Sequence, residues 1–119
     1  MRKTAMKGVV IIGVLMLSPA WVYAQGNAQK GKALFDQSCA MCHGATGKGD
    51  GAAAAALNPK PRNLADKAYI GKLKDQDLAN TIKNGGAAAG KSPLMPPFGG
   101  ALKDGDIQDL VSYIRTLAK

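Results

Sequence analysis

Both cysteines of the 119-residue chain and its only histidine fall within five consecutive positions, Cys39-Ala-Met-Cys42-His43. No other feature constrains the fold as strongly. Three ligating side chains that close together act at one place, so the rest of the chain has to be arranged around that place. A structural zinc site needs four ligands, and three from one short stretch do not close a tetrahedron alone. A thioredoxin-like thiol pair belongs to a βαβ setting, and no convincing alternating strand is present. A disulfide across two residues is the plain competitor. Cys-x-x-Cys-His accounts for all three side chains at once, as the pattern of covalent haem c attachment. The two thiols add across the vinyl groups on one porphyrin edge, and two intervening residues set the sulfurs at the vinyl separation. The histidine that follows lies beneath the iron. His43 is therefore expected to bind iron through Nε2 and to donate from its other ring nitrogen to a backbone carbonyl, which fixes the ring and raises its basicity.

The N-terminus agrees with this independently, because haem c is attached outside the cytoplasm. Arg2, Lys3 and Lys7 precede an apolar run over 8–17, Ser18-Pro19 breaks it, and Val22-Tyr23-Ala24 has the form of a small-residue cleavage site. Residues 1–24 read as a cleaved signal peptide and 25–119 as the functional domain. A retained anchor is the competing reading. A span needs ~17–25 apolar residues, and 8–24 supplies 17 at best, with a serine and a proline among them. The mature domain is expected to sit in the periplasm with no stable membrane insertion.

Outside the leader, thirteen basic residues face eight acidic ones, all Asp, for a net charge of +5. That balance suits a protein partner with an acidic docking patch or an anionic membrane surface. The basic residues are scattered with little aromatic interleaving, which argues against nucleic acid. The domain's aromatics are Phe35, Tyr69, Phe98 and Tyr113 amid many Gly and Ala. A core this thin calls for a staple or a bound group.

The local patterns are helical. Asn27 is positioned to cap a first helix running toward Gln37, with Ala28, Gly31, Leu34 and Phe35 on one side. A second helix fits 75–84, with Asp75 and Asp77 at its positive end and Gly85 as a stop. A short turn is expected around 68–73. Ile107, Leu110, Val111, Ile114 and Leu117 form the stripe of a last helix, capped by Asp104 or a neighbour. Segments 44–66 and 85–100 are rich in Gly and Pro and read as loops, the alanines at 52–56 included. Loops this long need an organiser, and a central flat cofactor would serve. The fold class is all-α, three to four main helices with long loops around one covalent haem.

Iron held by His43 leaves one axial position. Once the leader is gone, the thioethers are Met41, inside the attachment loop and unable to reach the opposite face, and Met95, in a loop stiffened by Pro93, Pro96 and Pro97. Met95 is the expected sixth ligand, with core gap-filling as its plain alternative. Lys91 and Lys103 are the conceivable replacements. Histidine–methionine ligation raises the reduction potential and leaves no open coordination site, which suits outer-sphere electron transfer.

The chain resembles the class I c-type cytochromes over 25–119. The resemblance rests on CAMCHG at 39–44, PRNL at 61–64, PLMPPFGG at 93–100 and DIQDLVSYIRTL at 106–117. It implies that a proline carbonyl after the motif accepts the His43 hydrogen bond, with Pro61 the best match and Pro59 second. Arg62 is a candidate partner for a haem propionate, with Asn63 and Tyr69 behind it. Leu64, Leu73, Leu78, Ile82, Leu94, Phe98 and Leu102 would line the haem or form core. The resemblance also implies a crossing of the first and last helices, with Gly31 and Phe35 against Tyr113. Such helices are often capped by Ser or Thr, where this chain has Lys74 and Lys103.

The function this implies is a monomeric, periplasmic, one-electron carrier between respiratory redox partners, not an enzyme. Two other readings stand beside it. A labile Met95 would make a haem enzyme or gas sensor, and a permanent partner would make the chain the electron-transfer subunit of a larger oxidoreductase.

Overall fold

The computed structural model describes residues 25–119; the leader and its cleavage site lie outside the described residues. Five helices follow in order: α1 (Ala28–Ser38), α2 (Ala40–His43), α3 (Lys67–Ile70), α4 (Asp75–Ala88) and α5 (Asp104–Leu117). Among the described residues there is no strand. Three helices are long and two are single turns, with one 3₁₀ turn at Ala54–Ala56 where the alanine run folds briefly and buries Ala54.

The caps show why the helices begin where they do. Asn27 Oδ1 accepts from the Gln29 and Lys30 N–H groups at 3.0 and 3.1 Å, answering donors that a helix start leaves unpaired. Asp66 does the same for α3, accepting from Ala68 and Tyr69. Helices α4 and α5 begin at Lys74 and Lys103, and an ammonium cannot accept. Asp77 and Asp106, three residues in, instead reach back to the Lys74 and Lys103 N–H groups, both at 2.9 Å. That is the returning half of a capping box. The cap of α5 is thus Lys103, with Asp104 the first helical residue.

Helix α1 crosses α5 at Gly31. A Cβ there would run into the Asp109 carbonyl and sit 2.9 Å from Tyr113 Cβ, so only glycine permits this approach. Behind the crossing, Phe35 meets Tyr113 edge-on, with ring centroids 5.2 Å apart. Phe35, Ile70 and Leu110 are the fully buried large side chains, with Leu78, Ile82, Ile107, Val111 and Ile114 around them.

Arg115 of α5 ties the opposite side together. It donates to the carbonyls of Ile70 and Leu73 at 2.7 and 2.5 Å and to Asp75 Oδ1 at 2.8 Å. The end of α3 and the start of α4 thereby share one guanidinium. By contrast, the Lys32–Asp36 and Lys83–Asp104 pairs are exposed and contribute little.

The loop after His43 is held by its own backbone. Gly49 N–H donates to the His43 carbonyl at 2.7 Å, Gly51 N–H to Cys42 at 3.1 Å, and Leu64 N–H to Gly47 at 2.6 Å. Gly47 and Gly49 take φ of 75° and 82°, which L side chains rarely adopt.

Candidate haem site

The Cys-x-x-Cys-His stretch supplies the whole of α2 and the residue before it. One helical turn therefore presents Cys39, Cys42 and His43 to the same space. That space is a cavity of about 660 Å³, within the ~300–1,000 Å³ of small-molecule sites. Met95, 52 residues after His43, lines the same cavity. So do Leu64, Leu73, Leu78, Ile82, Leu94 and Phe98, as expected, while Leu102 packs against the core outside it. Lys91 is on the wall; Lys103 is not, being committed to the start of α5.

His43 Nδ1 lies 3.3 Å from the Arg62 carbonyl oxygen. This corrects the expectation for Pro61. The Pro61 carbonyl lies against Gly49, where a Cβ would overlap it, and it is the next carbonyl that meets the histidine. Pro61 itself stays on the cavity wall. With Nδ1–H given to Arg62, Nε2 keeps its lone pair. Burial lowers the pKa of His43 below that of free histidine, with the Arg62 carbonyl acting in the opposite direction. The imidazole is therefore neutral at pH 7, as a metal ligand must be. Burial pushes the Cys39 thiol up to about 11, and the neighbouring Cys42 adds to the shift. Both cysteines are free thiols, so the disulfide reading is not what this fold adopts.

The side chain of Arg62 lies over the Tyr69 ring, 4.6 Å from its centroid, and both residues line the cavity. Asn63 turns to its own backbone, accepting from Ala65 N–H. The sequence reading missed Ile70, Ile114, Thr81 and Gly86 as wall residues. Thr81 was within reach of pattern, being three residues after Leu78 and beside Ile82 on one face of α4. Ile70 had no such signal, because a one-turn helix shows no periodicity.

Two thiols, an imidazole and a thioether around an apolar chamber fit a haem joined by two thioethers. Among the described residues no group of three His, Cys, Asp or Glu side chains converges as a bare ion would require. This is the donor chemistry of a c-type cytochrome on an all-α frame.

Comparison with known proteins gives the same class. The family model described as Cytochrome c matches residues 28–118. The chain is 36% identical over 95 residues to cytochrome c-554(547) of Halothiobacillus neapolitanus, covering 77% of this chain and 98% of that protein. It is 32% identical over 90 residues to the Cbb3-type cytochrome c oxidase subunit CcoP of Azospirillum brasilense, covering 76% of this chain but 28% of that subunit. Among solved structures, the KustC0563 c-type cytochrome superposes with a TM-score of 0.61 at 26% identity, over 75% of this chain and 98% of that one. The chain belongs to the cytochrome c family, as a small class I c-type cytochrome: an electron-transfer protein with covalently bound haem c, not an enzyme.

Proposed function

We propose that residues 25–119 form a periplasmic carrier that passes one electron at a time between respiratory partner proteins, with residues 1–24 removed as its export leader. The observation that carries this reading is the convergence of Cys39, Cys42, His43 and Met95 on one cavity. Bound there, the haem supplies a reversible one-electron couple at its iron. The Cys39 and Cys42 thiols would hold it covalently. His43 would bind the iron through Nε2, its ring oriented by the Arg62 carbonyl. Met95 would bind the iron through its thioether from a proline-stiffened loop, so that no ligand need be exchanged when the charge changes. Arg62 and Tyr69 stand on the wall as candidates to meet a propionate, among mostly apolar neighbours. The net charge of +5 outside the leader steers an acidic partner, so transfer rates fall as salt rises.

A second reading has its own support. The likeness to an oxidase subunit suits a domain that works inside a larger complex, and copurification with a partner would separate that role from a free carrier. No helix among the described residues is long and apolar enough to cross a membrane.

The test is the absorption spectrum of the secreted protein, oxidised and reduced, followed by acid–acetone extraction. Colour that stays with the polypeptide, with the weak red band of methionine–iron ligation in the ferric form, is the expected result. Colour without that band removes Met95 from the iron. No colour from a host able to attach haem c overturns the site as a whole.

A further inference from the structure

Helix α4 does more than end before the Met95 loop; helix and loop exchange hydrogen bonds. In an uninterrupted helix the Gly86 N–H would return to the Ile82 carbonyl, and the Ala87 N–H to that of Lys83. Gly85 breaks this ladder at φ 83°, ψ 168°, a conformation essentially reserved for glycine. The Gly86 N–H instead donates to the Met95 carbonyl at 3.0 Å. The Ile82 and Lys83 carbonyls accept from Phe98 and Gly99, both at 2.9 Å. The near side of the loop is closed the same way, with Lys91 N–H on the Gly86 carbonyl at 2.8 Å.

Sterics reinforce the exchange. A Cβ on Gly86 would overlap the Ser92 carbonyl oxygen and lie 3.3 Å from Met95 Cβ. One on Gly85 would lie 3.0 Å from Pro97 N and 3.1 Å from the Met95 carbonyl oxygen. The obstacles are mostly backbone, which cannot swing aside as a flexible side chain can. Both glycines are buried, and Gly86 lines the cavity beside Met95. Gly100, by contrast, has open space around its Cβ position.

We infer that Gly85 and Gly86 are positioning residues for Met95: the break they impose splices the ligand loop into the hydrogen-bond ladder of α4 and so sets where the thioether stands. This rests on Met95 being the thioether ligand. The prolines stiffen the loop, but the α4 backbone decides its position.

The experiment uses the mature protein with haem attached and compares Gly86→Ala, Gly100→Ala and Met95→Ala. Gly86→Ala should keep its haem through acid–acetone extraction yet lose the weak red band, lower the reduction potential and let the ferrous protein bind carbon monoxide. Gly100→Ala should match the parent in all of these. A parent-like band and potential in Gly86→Ala overturns the inference. A parent-like Met95→Ala overturns the ligand reading beneath it, so the two failures are distinct. Should Gly86→Ala fail to mature, amide exchange on the unaltered protein carries the test. Gly86, Phe98 and Gly99 amides that are protected, and that lose protection together in Met95→Ala while α1 and α5 keep theirs, support the splice. Unprotected amides, or protection indifferent to Met95, overturn it.

Discussion

Two of the places where backbone presses against a glycine are built from different forces. At the α1–α5 crossing, Gly31 lets helices touch, and behind it stand Phe35, Leu110 and Tyr113, all buried. At the Met95 loop, Gly85 and Gly86 let loop meet helix, and the Gly86, Phe98 and Gly99 N–H groups donate to the Met95, Ile82 and Lys83 carbonyls. Main-chain hydrogen bonds do the holding there. Burying one large apolar side chain contributes ~1.5–3 kcal/mol, whereas a net hydrogen bond contributes ~0.5–1.5 kcal/mol but fixes direction. The crossing is therefore where the fold keeps its stability, and the loop is where it keeps its geometry. Local opening is expected at the loop before the crossing.

That division can be broken by substitutions whose effect falls on one side only. Leu110→Ala removes a fully buried side chain that does not line the cavity. It should cost about 2–5 kcal/mol, read as a fall in thermal midpoint of ~4–8 °C per kcal/mol for a domain of this size, with the red band kept. Gly31→Leu forces the crossing apart and should cost roughly 1–3 kcal/mol or more, again with haem attached; unchanged thermal stability would count against the crossing. Arg115→Met leaves the Ile70 and Leu73 carbonyls without their donor, and denaturant titration should register a loss of about 1–3 kcal/mol. Asn27→Ala removes one helix cap and should cost about 1 kcal/mol by the same titration. Lys32→Ala breaks only an exposed ion pair, and its unfolding midpoint should not move measurably. If any of these abolished the red band while Gly86→Ala kept it, the assignment of stability to one contact and geometry to the other would be reversed.

The parts of the fold legible in advance are those whose cause is local. The stripe of α5, the Asn27 cap and the stop at Gly85 depend on neighbours a few residues away, and each appears where its pattern lies. The Gly31–Phe35–Tyr113 crossing was legible through family likeness, not through periodicity. The short turns were blurred: α3 extends only over Lys67–Ile70, and α4 resumes for a turn past Gly85. Both belong to regions where propensity is weak and tertiary contacts choose.

The sequence by itself determined the chemistry. Five residues bring two thiols and an imidazole into one turn, and that proximity is covalent, owed to chain connectivity alone. It also singled out Met95, since few thioethers were available. Only the tertiary structure decided which carbonyl meets His43, Arg62 and not Pro61, because that depends on how the loop seats against Gly49. Only it gave Arg115 three partners 40 or more residues distant, and only it exchanged the hydrogen bonds of α4 with those of the Met95 loop. Backbone carbonyls carry no mark in a sequence. Every residue but proline has the same donor and acceptor, so which pair meets is settled by the path of the chain in space.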